Sequence, residues 1–263
     1  MYELIACDLD GTLLSAEHQI PEFSQDVIRQ LAASGRHFVF ATGRHFVDVC
    51  HLQQQLAVPC WMISANGAMV HDDQGQLVYQ QAIESEVLAQ VLALPSMQQV
   101  SVNLYQPDAW LTNTPAVIAY SMAKTSGFYA QRFDLTQPPL EQIIKVFFLG
   151  DSEDLQLLEQ ELLTKFPDQL HLSFSMNDCL ELMAPGVSKG HALEMVVRAE
   201  QLSLAQCMAF GDGMNDLEIL SRVGKGLLMG NAHPRLKQAL PQLEVIGRFD
   251  EQAVAHYLQQ HLL

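Results

Sequence analysis

Carboxylates follow two apolar stretches that lie far apart in this chain. Asp8 and Asp10 come after IAC and before a Gly-Thr pair, and Asp212 comes after CMAFG, within GDGMND. Carboxylates that meet in a partly dry cleft repel one another strongly unless a divalent cation lies among them. Because oxygen ligands with room for water favour Mg²⁺ over zinc, we predict that Asp8, Asp10 and Asp212 hold Mg²⁺.

Each candidate residue also has an ordinary structural explanation when it is taken alone. An aspartate near a strand end is usually a turn or cap residue. Thr42 is compatible with a strand-end hydroxyl, and Lys189 with a solvated residue in the first turn of a helix. Arg44 fits a contact with the inserted segment or the substrate and a surface ion pair equally well. The order, spacing and context of these residues together are what favour a functional site.

The apolar stretches are typical of strands buried in a parallel sheet. The first spans residues 2–7, the second lies in HFVFATGR and the third in CWMISANG, with amphipathic segments between them. This alternation predicts an α/β fold, a doubly wound, Rossmann-like parallel sheet with right-handed crossovers. Ligands bind at the carboxyl ends of the strands in such a sheet. The strand-end groups DLD, ATGR and GDGMND are therefore expected to meet in one crevice.

The alternation of strands and helices breaks off between residues 83 and 187. Neighbouring strands are predicted there in QVSVNLY and AWLTN, and a hairpin in LHLSFSM and CLELMA. Strands next to strands imply antiparallel pairing, so this segment is predicted to be an inserted α+β cap domain. Residues 1–82 and 188–263 then form the catalytic core.

The composition restricts the possible partners. The chain has 263 residues and a formal net charge of −16, from 14 basic and 30 acidic residues. Such a surface repels nucleic acid and anionic membranes. No obligate protein partner is evident, so we expect a small-molecule ligand. Five cysteines without a CxxC pair, no apolar segment of about 18 residues and no signal-peptide pattern favour a cytoplasmic protein with reduced thiols.

Several histidines and tryptophans have no pattern that indicates a site. His45, His51 and His71 lack the paired spacing of metal ligands, so we predict that they lie at the surface or support the site from behind. Trp61 and Trp110 are interpreted as packing residues, because the net charge argues against nucleic-acid stacking.

The motifs DLDGTLL, ATGR, SKG and GDGMND, in that order, resemble the four motifs of the haloacid dehalogenase superfamily of phosphatases. The inserted segment resembles the large α/β cap of the Cof-type subfamily. The resemblance covers essentially the whole chain, and it is closest to bacterial pyridoxal phosphate and sugar phosphate phosphatases. The four motifs together are highly specific for the superfamily, whereas the cap does not determine the substrate.

The resemblance also implies roles for individual residues. Asp8 would be the nucleophile that forms an aspartyl phosphate, and Asp10 the general acid and then the base. Mg²⁺ would be held by the carboxylates of Asp8 and Asp212 and by the backbone carbonyl of Asp10. Asp216 would orient Lys189 or a metal-bound water. The groups expected around the phosphate oxygens are the Leu9 N–H, Thr42, the Gly43 N–H, Lys189 and Asn215.

The implied activity is Mg²⁺-dependent hydrolysis of small phosphomonoesters, with pyridoxal 5'-phosphate and hexose phosphates as leading substrates. This reaction needs accelerations of up to ~10²¹, whereas one acid-base residue contributes only ~10² to 10⁴. A preorganised cluster of cations and N–H donors is therefore required. Lys189 at the start of a helix would add a local positive charge to an acidic protein.

Acidic residues at strand ends also occur in proteins with other functions. A dehalogenase would need neither Asp10 nor Asp212, and a transport ATPase would need membrane helices. A phosphosugar mutase uses the same pair of carboxylates and stays open as an alternative. A phospho-acceptor or binding module without turnover is the alternative from another class, although receiver domains have no inserted cap and their acidic pair is adjacent.

Overall fold

The computed structural model describes residues 2–122 and 126–263. These residues form two compact units, the core domain (residues up to Val78 and Ser188–Leu263) and the inserted domain (Tyr79–Val187). The strands are β1 (Leu4–Cys7), β2 (His37–Ala41), β3 (Trp61–Ser64), β4 (Met69–His71), β5 (Leu77–Gln80), β6 (Ser101–Tyr105), β7 (Trp110–Thr112), β8 (Ala130–Arg132), β9 (Lys145–Leu149), β10 (His171–Met176), β11 (Cys179–Met183), β12 (Cys207–Gly211), β13 (Lys225–Leu228) and β14 (Glu244–Val245). The helices are α1 (Glu22–Ala33), α2 (Phe46–Leu56), α3 (Ser85–Leu92), α4 (Pro115–Met122), α5 (Ser152–Lys165), α6 (Lys189–Ala199), α7 (Leu217–Arg222), α8 (Pro234–Ala239) and α9 (Ala253–Leu262).

The core sheet has the strand order β14-β13-β12-β1-β2-β3-β4-β5. The strands from β14 to β3 are parallel, and β4 runs antiparallel to β3. β1 lies between β12 and β2, and all four of its residues are fully buried, as expected for a strand covered on both faces. The predicted doubly wound α/β fold is confirmed, and the carboxyl ends of β1, β2 and β12 lie at the same edge of one sheet.

Two elements of the structure are missing from the sequence-based prediction. β8 has only three residues, two of them exposed, and it pairs in parallel with β7 at the edge of the second sheet. α7 has six residues and follows the GDGMND turn directly. Neither is long enough to show a hydrophobic period, because such a pattern needs a longer run of residues.

The inserted domain contains a six-stranded sheet in the order β10-β11-β9-β6-β7-β8, which is antiparallel except for the β7–β8 pair. Its strand register places Val102, Phe148 and Leu180 side by side on one face. All three are fully buried, and this face supplies the apolar core of the domain. Successive side chains of β6 and β9 therefore point to opposite faces of this sheet.

The opposite face of this second sheet carries polar and aromatic side chains. Lys145 and Glu181 form an ion pair there, and both are buried. The Lys145 ammonium lies 5.7 Å from the ring centroid of Tyr105 and 5.6 Å from that of Phe147, which is within the range of a cation–π contact. We call these four residues the cap-face cluster.

Two of the histidines have surroundings that differ from the predicted surface positions. His45 and His71 are both buried, and the His71 ring stacks on Phe46 with a centroid distance of 3.5 Å. Burial, and to a smaller extent the neighbouring His45, lowers the pKa of His71 to about 4, against the opposing effect of Asp72. His71 is therefore neutral in the folded protein at physiological pH.

Replacing His71 with Phe should flatten the acid side of the stability curve. An unfolded histidine gains a proton near pH 6.5, whereas folded His71 does so near pH 4. The unfolded state binds more protons between these values, so wild-type stability falls as the pH drops from about 6.5 towards about 4. His71→Phe keeps a ring against Phe46 and removes this contribution. Urea unfolding across pH 4 to 8 measures it, and parallel curves for the two proteins would contradict the assignment.

Candidate active site

Lys189 holds two carboxylates together at the edge of the core sheet. It is the first residue of α6, and its side chain is fully buried. Its Nζ donates to Oδ1 of Asp8 at 2.7 Å and to Oδ1 of Asp216 at 2.6 Å. Ser188 caps the helix by accepting the His191 N–H at 3.1 Å, so the local sequence places Lys189 at the start of α6.

Asp216 organises the loop after β12. Its second oxygen, Oδ2, accepts the backbone N–H groups of Asp212 and Gly213, each at 2.9 Å. With Lys189 on Oδ1, both oxygens of this buried carboxylate have partners. Asp216 therefore fixes the position of the Lys189 ammonium and the shape of the loop that carries Asp212.

The Asp212 carboxylate accepts hydrogen bonds from Thr12, in the turn after β1, and from Asn231, after β13. Thr12 Oγ1 donates to Oδ1 of Asp212 at 3.1 Å. Asn231 Nδ2 lies 3.2 Å from Oδ2 of Asp212 and 2.8 Å from the carbonyl oxygen of Gly11. Gly11 has a φ of +75°, and a Cβ atom there would lie 2.3 Å from Asp212 Oδ2. A side chain at this position would collide with the Asp212 carboxylate and so separate the turn after β1 from the loop after β12.

The carboxylates of Asp8, Asp212 and Asp216 outnumber the one ammonium among them, which bonds to Asp8 and Asp216. Burial raises the pKa of Asp8 well above its ordinary value, against the opposing effect of Lys189. Burial, and to a smaller extent the Asp216 charge, raises the pKa of Asp212 to about 7. Burial lowers the pKa of Lys189, but Asp216 and Asp8 outweigh it, so the ammonium stays charged. Another positive charge would stabilise this cluster.

The donor set fits Mg²⁺. One oxygen each from Asp8, Asp212 and Asp216 can be chosen so that all three lie within 4.8 Å of one another. Only hard oxygen donors are present in this group, as Mg²⁺ prefers. The ligands predicted from the sequence are the carboxylates of Asp8 and Asp212 with the carbonyl of Asp10. Asp216 joins the same group in the structure, although Lys189 and two backbone N–H groups already occupy its oxygens.

The Asp10 carboxylate lies outside this group and pairs with Arg44. Arg44 Nε donates to Oδ2 of Asp10 at 2.6 Å, and its Nη2 contacts Oδ1. His18 Nδ1 is 3.3 Å from Oδ1 of Asp10, and buried Asp48 lies 3.7 Å from Nη1 of Arg44. The Asp10 side chain is 45% exposed, so water and a ligand can reach it. Of the two interpretations of Arg44, the structure shows an ion pair, and its partner is a predicted catalytic residue.

The remaining predicted phosphate ligands occupy the turns after β1, β2 and β12. Leu9 is buried and starts the irregular turn after Asp8. Thr42 is buried directly after β2, and its Oγ1 accepts the Arg44 N–H at 3.1 Å, across Gly43. Asn215 lies in the short turn between β12 and α7. All of these residues belong to loops at the carboxyl ends of parallel strands.

Two asparagines of the site, Asn66 and Asn231, are not among the site residues predicted from the sequence. Asn231 follows β13, a parallel neighbour of β12, so a polar residue after the end of that strand was the available signal. Asn66 precedes Gly67 in a pair that is typical of turns, but it is buried and its Oδ1 accepts from Asn215 Nδ2 at 3.0 Å. No local pattern indicates that contact, because the two residues are 149 positions apart.

Comparisons with known proteins identify the family and the fold. Residues 5–258 match the model of the haloacid dehalogenase-like hydrolase family. A relative from Yersinia pseudotuberculosis (serotype O:1b, strain IP 31758), named HMP-PP phosphatase, is 41% identical over 265 residues, which cover 100% of this chain and 96% of that protein. A haloacid dehalogenase-like hydrolase from B. subtilis has a TM-score of 0.86 at 26% identity, covering 99% of this chain and 100% of its own. The subclass IIB sugar phosphatase BT4131 has a TM-score of 0.85 at 21% identity, covering 98% of each chain.

The family match spans all four motifs and the segment between them. In the part of the chain that the structure describes, no helix has the length and apolar character needed to span a bilayer. The predicted family, fold class and enzyme class are confirmed. The chain belongs to the family of haloacid dehalogenase-like hydrolases and is a phosphatase of that family.

Proposed function

We propose that this enzyme hydrolyses small phosphomonoesters in a Mg²⁺-dependent reaction, with Asp8 as the nucleophile. The observation that carries the proposal is the buried Asp8 carboxylate, which is bonded to Lys189 and grouped with Asp212 and Asp216. A buried carboxylate beside a fixed ammonium provides an attacking group and a charge that can receive an anion. The mutase and the phospho-acceptor module remain the alternatives for the test below.

The proposed reaction has two steps, which Asp8 and Asp10 share. In the first, an Asp8 oxygen bonds to phosphorus while the bond from phosphorus to the alcohol oxygen breaks, and Asp10 gives that oxygen a proton. In the second, water attacks phosphorus, Asp10 takes its proton, and Asp8 leaves as a carboxylate with inorganic phosphate. Arg44 bonds to the Asp10 carboxylate, so this ion pair has to loosen whenever Asp10 carries the proton.

Fixed donors would stabilise the charge on the transferring group. Lys189 supplies a full positive charge from a position that two carboxylates define. We assign further contacts with the phosphate oxygens to Thr42, to Asn215 and to the backbone N–H groups of Leu9 and Gly43. Because these groups are in place before the reaction, they cost little reorganisation when it occurs.

Asp8, Asp212 and the carbonyl of Asp10 are the proposed Mg²⁺ ligands. When bound there, Mg²⁺ would supply the positive charge that allows an anion to attack an anion. Asp216 would support the site by holding Lys189 and the backbone of Asp212.

We assign selection of the organic group to the inserted domain. Its cap-face cluster combines the rings of Tyr105 and Phe147 with the Lys145–Glu181 ion pair. Pyridoxal 5'-phosphate and hexose phosphates are the leading proposed substrates, and HMP-PP enters as a candidate through the name of the Yersinia relative.

A substrate panel measured with and without Mg²⁺ tests the proposed function. Phosphate release from pyridoxal 5'-phosphate, hexose phosphates, HMP-PP and nucleotides should be catalytic in Mg²⁺. It should fall by about two orders of magnitude or more after EDTA treatment and recover when Mg²⁺ is added back. The compound with the highest kcat/KM identifies the preferred substrate class.

The same panel separates the alternatives. Stoichiometric labelling of the protein without sustained phosphate release would indicate a phospho-acceptor module. Conversion of one hexose phosphate into its isomer would indicate a mutase. Full activity in EDTA would remove Mg²⁺ from the proposal.

A further inference from the structure

The turn after β3 connects three loops that carry proposed phosphate ligands. The Asn66 N–H donates to the carbonyl oxygen of Thr42 at 3.0 Å, and the Ala65 N–H donates to that of Arg44 at 2.8 Å. The Asn66 side chain reaches the loop after β12, where its Oδ1 accepts from Asn215 Nδ2 at 3.0 Å. One short turn thus contacts the loops after β2 and β12 directly.

The same turn lies against the residue that precedes Lys189. Gly67 has a φ of +99°, and a Cβ atom built on it would lie 2.3 Å from the carbonyl oxygen of Ser188. Only glycine permits this approach, because the obstructing atom belongs to the backbone. The start of α6 is therefore packed directly on the turn, and Lys189 is the next residue.

Asn66 itself combines an unusual backbone with a buried side chain. Its φ is +58°, in the left-handed region that asparagine tolerates better than most residues. The turn conformation alone would explain an asparagine at this position. It would not explain why the side chain is buried with its oxygen on the amide of Asn215.

The bond to Asn66 determines which way the Asn215 amide faces. A side-chain amide has an oxygen on one side and a nitrogen with two N–H bonds on the other. Because Asn66 Oδ1 can only accept, it selects the orientation that places the Asn215 nitrogen towards it. One N–H is used in this bond, and the same nitrogen carries a second N–H for an anion.

We propose that Asn66 is a positioning residue that orients the Asn215 amide for binding the phosphoryl group. The inference rests on the proposed function and adds a residue to it. If the oxygen acceptor is removed, the amide can turn and present its oxygen to the phosphate, which repels it. The half-buried Asn215 donor also loses its partner, which costs part of the free energy of that hydrogen bond.

The test is a double-mutant cycle of Asn66→Gly and Asn215→Ala. Glycine adopts the backbone of Asn66 without strain, so this variant removes the side chain and keeps the turn. Asn66→Gly should lower kcat/KM about 10- to 100-fold in the wild-type background. It should cost less than threefold when Asn215 is already Ala, because the amide that it orients is then absent. Additive losses would overturn the proposed route through Asn215.

Binding of inorganic phosphate tests the same inference without turnover. Calorimetry in Mg²⁺ should show weaker binding for Asn66→Gly than for wild type, by a similar factor. The matched control is Gln201→Gly, an exposed residue of the core domain with a φ of +57°. This variant should keep its phosphate affinity and kcat/KM within twofold of wild type.

The outcomes separate this inference from the proposed function. If the wild type binds phosphate but hydrolyses no compound of the panel, the proposed function fails, and the binding data still decide the role of Asn66. If the wild type is an active phosphatase and Asn66→Gly changes neither constant by more than threefold, the positioning role is wrong.

Discussion

Replacing Asp8 with Asn is expected to lower kcat by about four orders of magnitude or more. An amide is too weak a nucleophile to form the phosphoryl intermediate. Asn has almost the same shape, and its oxygen can still accept from Lys189, so the fold should stay intact. Loss of chemistry without loss of structure is therefore the expected signature. Single-turnover and steady-state phosphate release in Mg²⁺ measure it.

The control for this variant is Asp26→Asn on the exposed side of α1, where the carboxylate pairs with Arg29 at 3.1 Å. It makes the same chemical change away from the site and should keep wild-type kcat. Thermal unfolding of both variants checks the fold. If Asp8→Asn retained more than a few per cent of wild-type kcat while folded, another residue would have to be the nucleophile.

The parts of the fold that follow from local pattern could be predicted from the sequence. The apolar residues of β1 and β12 form central strands that are buried on both faces, so they read as uninterrupted apolar runs. The positions of Asp8 and Asp212 follow, because parallel strands place their carboxyl ends at one edge. Serine is a residue type that favours the N-cap position of a helix. Ser188 occupies that position, and its side chain accepts the N–H of His191.

The contacts that complete the site depend on tertiary structure. Asn231 reaches Gly11 across 220 positions of sequence, and no spacing rule connects them. The Arg44–Asp10 pair joins loops after different strands, so the sequence left two interpretations open. Alternation predicts that β6 and β9 each have two faces. The strand register was needed to show which side chains of the two strands lie on the same face of the sheet.

A chain with a net charge of −16 needs local positive charge to bind an anion. The average surface repels phosphate, but the buried ammonium of Lys189 acts over a short distance in a medium of low polarity, where charges interact strongly. Asp216 raises the pKa of this ammonium and fixes its position. Because three carboxylates surround this one ammonium, the proposed Mg²⁺ would have to add its charge before the site could attract an anion.

Lys189→Ala is accordingly expected to lower kcat/KM by about three orders of magnitude or more, because it removes a full charge from a water-poor site. It should also lower stability by about 3–5 kcal/mol, since Asp8 and Asp216 would lose their shared buried cation. Steady-state kinetics in Mg²⁺ and urea unfolding measure the two effects. The metal and the ammonium both offset the same carboxylates, so raising the Mg²⁺ concentration should recover part of the stability but little of the activity.

The matched control is Lys225→Ala, which removes an exposed ammonium 2.7 Å from Glu244. Exposed pairs contribute little to stability, about 0–1 kcal/mol, so this variant should keep wild-type stability and kinetics.

Lys189→Arg provides a second test if the alanine variant does not fold. It keeps the positive charge but needs more space than the buried Lys189 site offers, so kcat/KM should fall, but by less than the roughly three orders of magnitude expected for loss of the charge. A change in kcat/KM below threefold for folded Lys189→Ala would place this ammonium outside the phosphate site, and the charge argument for the whole site would fail with it.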